Sequence, residues 1–282
     1  MMSKLFLVAT PIGNLNDMSP RAIETLKNAD IIAAEDTRNS IRLLNHFDIK
    51  VPMTSYHEYN RIEKAEELIR KMQSGCDVAL ITDAGMPAVS DPGEDLVRMS
   101  YEAGIEVTII PGPCAAVSAL ALSGQPTGRF VFEGFLPNDK NKKELARRMD
   151  ELKDETRTII FYEAPHRLVR TLRLLCETFG ENREASTVRE LTKVHEEVCK
   201  TTLGELLVKY ENDEPRGEFV IVVRGKDPQE IIENERNKWS GISIREHVER
   251  YMAEGLDKKE SMKKVAADRG IGKREVYKEC TD

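Results

Sequence analysis

Short apolar runs alternate along most of the chain with segments whose apolar residues recur every three or four positions. The short runs predict buried strands and the recurring spacing predicts amphipathic helices. Residues 4–9 form the first strand, and Ser19-Pro20 starts a helix with Ile23, Leu26 and Ala29 on its buried face. Ile31-Ile32-Ala33-Ala34 predicts the next strand. Asn60 and Glu63 have capping-box spacing, and Ile62, Ala65, Ile69 and Met72 continue that helix to a stop at Gly75. Val78–Ile81 predicts a strand, followed by a helix that opens at Pro92 and ends near Gly104, then a strand over 105–110. Alternation of this kind through residue 124 predicts a mostly parallel sheet with helices on its faces.

Ser123-Gly124-Gln125-Pro126-Thr127-Gly128 is dense in turn formers and predicts a domain boundary. Beyond it the alternation restarts. Phe130–Phe135 and Thr158–Tyr162 predict strands, with a charged helix from about Lys140 between them. Leu168, Leu172, Leu175 and Phe179 share a helix face, Ser186-Thr187-Val188 leads into a polar stretch, Thr202 and Glu205 form a capping box, and 218–223 predicts a closing strand. Residues 228–282 are charged and helical in pattern, without strand candidates. The chain thus reads as α/β, with domains over 1–124 and 125–227 and a helical module over 228–282.

Several strands run straight into glycine and proline loops. The most pronounced is Thr82-Asp83-Ala84-Gly85-Met86-Pro87-Ala88-Val89-Ser90-Asp91-Pro92-Gly93, where glycines admit close backbone approach and Asp83, Ser90 and Asp91 offer acceptors. Thr10-Pro11-Ile12-Gly13-Asn14-Leu15 and Pro111-Gly112-Pro113-Cys114-Ala115 also follow strands. Open α/β sheets bind ligands beyond the carboxyl ends of their strands, so these loops predict a small-molecule site, with an ordinary strand-to-helix connection as the alternative. Neither a Gly-x-Gly-x-x-Gly nor a phosphate-loop motif is present.

A net charge of −7 argues against wholesale wrapping of nucleic acid. The C-terminal module reverses that sign locally: residues 257–278 carry eight Lys/Arg against four Asp/Glu. Gly270-Ile271-Gly272 separates two helical patterns in a helix-turn-helix outline that exposes Lys273, Arg274 and Lys278 on the second. A solvated tail or a dimer contact is the alternative. Five scattered cysteines without metal-ligand spacing suit reduced thiols, and no apolar run approaches the roughly 20 residues of a membrane span. A cytoplasmic protein without membrane or metal is expected.

Five scattered histidines and five scattered cysteines assemble no Ser-His-Asp, Cys-His or zinc constellation, which disfavours hydrolysis of those types. Loops converging at strand ends suit group transfer from a bound carrier, in which holding donor and acceptor in line does most of the catalysis. The residues alone do not name the carrier.

A resemblance does. Thr10 to Leu15, Ala34-Glu35-Asp36-Thr37-Arg38, Thr82 to Gly93, Pro111-Gly112-Pro113, Phe132-Glu133-Gly134-Phe135-Leu136-Pro137, Phe161 to Arg167 and Arg189-Glu190-Leu191-Thr192-Lys193 occur in one order. Together they resemble the ribosomal RNA small subunit methyltransferase I family, of the tetrapyrrole methylase fold. The resemblance implies an S-adenosylmethionine-dependent enzyme that methylates the ribose 2′-hydroxyl of a cytidine in 16S ribosomal RNA of the small subunit. It implies a homodimer with the cofactor between the two α/β domains. Carried over, cofactor contacts fall on Pro11 and Gly13, on Asp83, Ala84, Gly85, Pro87, Ser90 and Asp91, and on Pro111, Gly112, Pro113, Cys114 and Ala115. Tyr162 and Gly217-Glu218-Phe219 close the site. Cys114 stands where related methylases often carry a small hydroxyl residue, which leaves one cofactor hydrogen bond open.

A ribose hydroxyl is a poor acid, so a nearby base or cation should assist its attack. Asp36, Arg38, His57, Glu58, Glu190 and Lys193 are the candidates, with a structural Asp36–Arg38 pair and a loop-orienting His57 as alternatives. Arg167 and the basic residues of the tail are the expected RNA contacts. Two other functions remain open: the same fold acting on a porphyrin precursor or a protein side chain, and a cofactor-sensing regulator that binds nucleic acid.

Overall fold

The structure, a computed structural model, describes residues 3–239 and 241–281. Contacts group the chain into two compact units, 1–145 with 158–224, and 146–157 with 225–282.

The first unit holds two five-stranded sheets. In the first, β1 (Lys4–Val8), β2 (Ile31–Ala34), β3 (Met53–Ser55), β4 (Val78–Ile81) and β5 (Glu106–Ile110) are all parallel, in the order β3-β2-β4-β1-β5. Helices α1 (Pro20–Asn28), α2 (Thr37–His46), α3 (Arg61–Gln73) and α4 (Gly93–Glu102) connect them. Strand side chains alternate between the two faces. Val8, Ala79 and Ile81 meet Ala22 and Leu26 of α1 and Leu44 of α2, whereas Leu5, Leu7, Val78 and Leu80 meet Leu68 of α3 and Leu96 of α4. The neighbours β1 and β4 therefore send their helices to opposite faces. This is the topological switch point, where the loops diverge and leave a crevice.

Helix α5 (Ala115–Ser123) leads to the second sheet, β6-β7-β10-β8-β9, built from Phe130–Phe135, Thr158–Glu163, Phe219–Val223, Glu184–Arg189 and Glu197–Thr202 respectively. Only β6 and β7 are parallel; the other pairs are antiparallel. The chain leaves β6 through α6 (Lys142–Leu152), which from Ala146 onward belongs to the second unit, and α7 (Pro165–Phe179) and α8 (Leu203–Asn212) complete this half. Leu168, Leu172 and Leu175 of α7 are fully buried, as their spacing predicts. One apolar cluster joins the halves: Ile12, Ala116, Ala119 and Leu120 pack with Ile160, Val188, Leu191, Val220 and Val222.

The second unit contains α9 (Pro228–Asn237), α10 (Ile244–Ala253), α11 (Lys258–Arg269) and α12 (Lys273–Thr281). Ser243 and Asp257 cap α10 and α11 by accepting the Glu246 and Glu260 N–H groups. Val248, Val265 and Val276 form a small core of its own. His247 is fully buried, stacked on Trp239 at 3.7 Å, and its Nδ1 accepts from Arg269 Nε at 3.2 Å. Burial, with the Arg269 charge second, holds this imidazole below its ordinary pKa. Among the described residues no helix is long and apolar enough to cross a membrane.

The capping box expected at Asn60 and Glu63 does not form. Asn60 Oδ1 accepts the His57 N–H at 2.9 Å and its Nδ2 donates to the Ser55 carbonyl at 3.4 Å, so the side chain closes the preceding turn. The strands β3 and β9 have no counterpart in the sequence reading: β3 is three residues long, and β9 is a charged edge strand paired along its length to β8.

Candidate functional site

A cavity of about 420 Å³ opens in the first unit at the switch point, under the second sheet. That volume lies within the range of small-molecule sites. The loop after β4 supplies Asp83, Ala84, Gly85, Ser90 and Asp91 to its wall, and the start of α5 supplies Cys114 and Ala115. The second sheet contributes Tyr162, Glu218 and Phe219. All ten stand among the expected cofactor contacts.

Seven others expected there lie outside the lining, in supporting positions. Pro11 is buried and precedes Ile12, which does line the cavity. A Cβ on Gly13 would stand 2.5 Å from Lys193 Cγ, one on Gly112 would stand 2.8 Å from Ala9 Cβ, and one on Gly217 would meet the Glu190 carboxylate. These glycines thus admit neighbouring parts of the chain. Pro111 and Pro113 flank Gly112, with the Pro113 carbonyl beside Gly85, and Pro87 lies in the β4 loop next to lining Met86.

The β4 loop owes its shape to short-range bonds. Gly85 pairs with Thr10 in both directions, N to O at 2.9 and 3.1 Å, which ties the loops after β1 and β4 together. Ala88 and Ser90 both take positive φ, 64° and 66°, a conformation that is costly for residues with a Cβ. Asp91 holds that turn: its Oδ1 accepts the Ala88 N–H at 2.9 Å and the Gly93 N–H at 2.7 Å. Gly134, at the irregular register between β6 and β7, comes down on this loop, where an added Cβ would lie 3.1 Å from Ser90 Oγ.

Burial raises the Asp91 carboxyl above its ordinary pKa, against the opposing effect of the backbone N–H groups. A raised folded pKa means that the folded protein holds the proton more tightly than the unfolded chain, so stability falls as pH rises through the folded value. Asp91→Asn, which keeps the acceptor but carries no charge, should therefore unfold at higher urea than wild type at pH 7. The gain should vanish once acid protonates the wild-type carboxyl in both states. Urea midpoints at pH 3 and 7 check this.

Tyr162 stays a neutral phenol, pushed up to about 12 mainly by burial, with the nearby Cys114 second. Its hydroxyl accepts the Ala116 N–H at 3.1 Å, and its ring meets Phe132 and Phe135 edge to face. Cys114 sits at the N-cap of α5 and makes no side-chain cap bond, so the helix start facing the cavity lacks the usual side-chain acceptor.

The expected catalytic side chains do not line the cavity. Asp36 caps α2, accepting the Arg38 N–H at 2.8 Å, and grips the Arg38 guanidinium at 3.1 and 2.7 Å; Arg38 lowers the Asp36 carboxyl to about 2. The structural pair is thus what forms. His57 and Glu58 precede α3, where the His57 N–H bonds to Asn60 and Glu58 pairs with Arg61 at 3.5 Å. Glu190 and Lys193 form an ion pair at 3.0 Å in the turn before β9, beside lining Leu191. Arg167 donates to the Leu136 carbonyl at 2.8 Å and lies 3.3 Å from Glu163, which commits it to the start of α7. Lys273, Arg274 and Lys278 are exposed on α12. Among the described residues no cluster of three or more His, Cys, Asp or Glu could hold a metal.

Met86 and Val89 of the expected 83–91 loop also line the cavity, and so do Ile12, Glu35, Thr82, Phe135, Glu163, Ala164, Pro165, Val188, Leu191 and Val220, which were not among the expected contacts. All of these but Val188 and Val220 lie inside the motifs that carry the family resemblance, so a signal was present. Val188 and Val220 read as core, because an apolar site wall and a core face have the same pattern.

The family model for Tetrapyrrole (Corrin/Porphyrin) Methylases matches residues 4–207. A ribosomal RNA small subunit methyltransferase I from Bacillus subtilis is 45% identical over 276 residues, covering 98% of this chain and 93% of that one. Another from Halalkalibacterium halodurans is 48% identical, covering 97% and 93%. The chain belongs to the ribosomal RNA small subunit methyltransferase I family. Solved structures give the fold alone: diphthine synthase superposes with a TM-score of 0.61 at 16% identity, covering 79% of this chain and 90% of that one. Uroporphyrin-III-C-methyltransferase from Thermus thermophilus gives 0.56 at 18%, covering 78% and 94%.

The residues of this family member fit S-adenosylmethionine. Ile12, Val188, Leu191 and Val220 offer an apolar wall for a purine, Asp83 offers acceptors for hydroxyls or an ammonium, and the α5 start, where Tyr162 takes the Ala116 N–H, offers the Ala115 N–H to a carboxylate.

Proposed function

We infer that the protein transfers a methyl group from S-adenosylmethionine to the 2′-hydroxyl of a cytidine ribose in 16S ribosomal RNA. The observation that carries this reading is identity above 40% across nearly the whole chain to the methyltransferases named above, joined to a switch-point cavity that suits the donor. When bound, the cofactor supplies a methyl carbon made electrophilic by a sulfonium sulfur. The loop after β4 and the start of α5 hold it from the first sheet, while Tyr162 and Phe219 cover it from the second. Apolar walls exclude water, and backbone turns set by Gly85 and Asp91 keep donor and acceptor in line. Positioning is the largest part of such catalysis.

A second copy of the chain completes the assembly in this reading. Helix α5 is apolar on all sides. One side packs on β7, β8 and β10, yet Val117 and Leu122 stay 52% and 47% exposed, and Ile109 on the neighbouring edge strand is 50% exposed. Helices apolar all round are covered all round. Sedimentation should give twice the chain mass of 31.9 kDa.

The test of function is methyl transfer from labelled cofactor to small subunits, or their RNA, from cells lacking the protein, with the product mapped by its 2′-O-methylation. No incorporation would overturn the reading. Incorporation into uroporphyrinogen instead would favour the tetrapyrrole alternative. The exposed Lys273, Arg274 and Lys278 are proposed to meet RNA phosphates. Replacing all three with Ala should lower the slope of log affinity against log salt by about 2, at roughly 0.7 per lost phosphate contact.

A further inference from the structure

We propose that Glu35 is the proton acceptor for the attacking ribose hydroxyl, an inference that rests on the methyl transfer proposed above. The oxygen cannot keep its proton as it bonds to the methyl carbon, and a weak acid needs an acceptor beside it. Five carboxylates reach the cavity: Glu35, Asp83, Asp91, Glu163 and Glu218.

Four are engaged. Asp83 accepts the Asp36 N–H at 3.2 Å on one oxygen and Asn39 Nδ2 at 3.1 Å on the other. Asp91 Oδ1 holds the turn at 88–93, and its Oδ2, which has no partner among the described residues, is enclosed where an attacking hydroxyl does not reach it. Glu163 accepts the Ala164 N–H at 2.9 Å on Oε1 and the Thr171 hydroxyl at 2.5 Å on Oε2, with Arg167 at 3.3 Å. Glu218 is 80% exposed and leans toward Lys193 at 3.4 Å.

Glu35 differs from Asp83 and Glu163 in keeping one oxygen unbonded, from Asp91 in that this oxygen is not enclosed, and from Glu218 in being anchored to the buried Thr82. Its Oε2 accepts the Thr82 hydroxyl at 2.8 Å, and its Oε1 makes no hydrogen bond to the described residues. Thr82 is itself fixed, because its carbonyl accepts the Thr10 hydroxyl at 3.1 Å. Glu35 follows β2 and Thr82 follows β4, and these two strands are hydrogen-bonded neighbours, paired at Ala34 and Ile81. Two strand ends and one bond therefore aim a carboxylate with a free oxygen into the cavity. Of the other ionisable groups in the wall, the Tyr162 hydroxyl already accepts the Ala116 N–H and keeps its own proton.

In the step, the hydroxyl proton passes to Glu35 Oε1 as the ribose oxygen bonds to the methyl carbon. The carbon–sulfur bond breaks with its electron pair left on sulfur. The products are the 2′-O-methyl ribose, neutral S-adenosylhomocysteine and a protonated Glu35, which returns its proton to water.

Single-turnover transfer to unmethylated small-subunit RNA tests this with Glu35→Gln, which preserves the acceptor for Thr82, and with Glu35→Ala. Calorimetry with S-adenosylhomocysteine runs alongside. The expected result is a rate at least 100-fold lower in both variants with cofactor affinity within threefold of wild type, and partial recovery of Glu35→Ala by added formate. A Glu35→Gln rate within threefold of wild type overturns the proposal. Loss of rate without formate recovery also overturns it, and assigns Glu35 to holding Thr82. A wild-type protein that binds cofactor but leaves this RNA unmethylated overturns the proposed function instead.

Discussion

Glu163→Ala should lower the stability of the protein by about 3 kcal/mol, the effect of stripping one partner from a buried ion pair. Glu163 ends β7 opposite Phe219 of β10, and its side chain is fully enclosed. It accepts from the Ala164 N–H and from the Thr171 hydroxyl and pairs with Arg167 at 3.3 Å, so its removal leaves two donors short of an acceptor and a cation without its counter-charge. Thr171 is itself buried, and an unpaired buried hydroxyl costs about 1–3 kcal/mol by itself. Against the 5–15 kcal/mol typical of folded domains, such a loss is large. It should appear as a lower urea midpoint at unchanged slope. Replacing Glu163 and Arg167 together by Met should recover only the part due to the uncompensated charge, since the Ala164 N–H and the Thr171 hydroxyl still lack their acceptor and the Leu136 carbonyl loses its donor. A loss under 1 kcal/mol in Glu163→Ala would show that the pair does not hold the start of α7. Because Glu163, Ala164 and Pro165 also line the cavity, the single variant should lose cofactor affinity along with stability.

This pair also bears on RNA recognition. In the sequence Arg167 is a cation next to a strand end, the usual profile of a phosphate ligand. In the structure its bonds to Leu136 and Glu163 fasten β6, β7 and α7 to one another. Among the described residues the exposed Lys273, Arg274 and Lys278 of α12 carry no such commitment, which leaves them the better candidates for RNA phosphates.

What could be read from the chain was what is decided locally. Ser19 and Thr202 cap the helices their spacing announced, because a cap needs only residues three positions apart. Asn60 has the same spacing and does otherwise, because the His57 N–H and the Ser55 carbonyl reach its side chain from a turn the pattern does not reveal. Strand β9 was hidden for another reason: an edge strand with Glu197 and Lys200 in it has neither an apolar run nor clear alternation, and only the long pairing with β8 makes it a strand. At the site, the loops were legible because glycine, proline and positive φ leave a compositional mark. Individual roles were not. Asp36 and Glu35 are adjacent carboxylates in one quoted motif, yet the first turns back to cap α2 while the second faces Thr82 across two strand ends. Which of two neighbours faces a cavity is set by where the strand ends, which sequence pattern places only to within a residue or two.

Gly13→Ala is the substitution expected to damage the site most with the fewest atoms. Gly13 follows Ile12 at the end of the β1 loop, and its missing Cβ makes room for the turn at 191–193 from the other half of the unit. An added methyl would stand 2.5 Å from Lys193 Cγ, 2.9 Å from Thr192 Oγ1 and 3.1 Å from the Leu191 carbonyl. The lysine stem could swing aside; the Leu191 carbonyl moves only with its backbone. Thr192 already sits at φ 65°, and Glu190 at φ 50°, so that turn has little conformational slack to absorb a shift. The remaining outcome is separation of the two loops. Ile12 and Leu191, adjacent to the clash on either side, belong to the cluster that joins the halves, and both line the cavity. Overpacking of this kind costs about 1–3 kcal/mol. Its larger consequence is for binding, because a cleft widened between its two walls loses contact with both at once. Affinity for S-adenosylhomocysteine should fall at least tenfold by calorimetry, while Gly75→Ala, at a glycine with no neighbouring atom within 4 Å of the new carbon, should lose stability through its positive φ and leave affinity unchanged. Equal affinity loss in both would mean that backbone strain anywhere in the sheet weakens binding, and that the contact between Gly13 and the 191–193 turn has no special part in shaping the site.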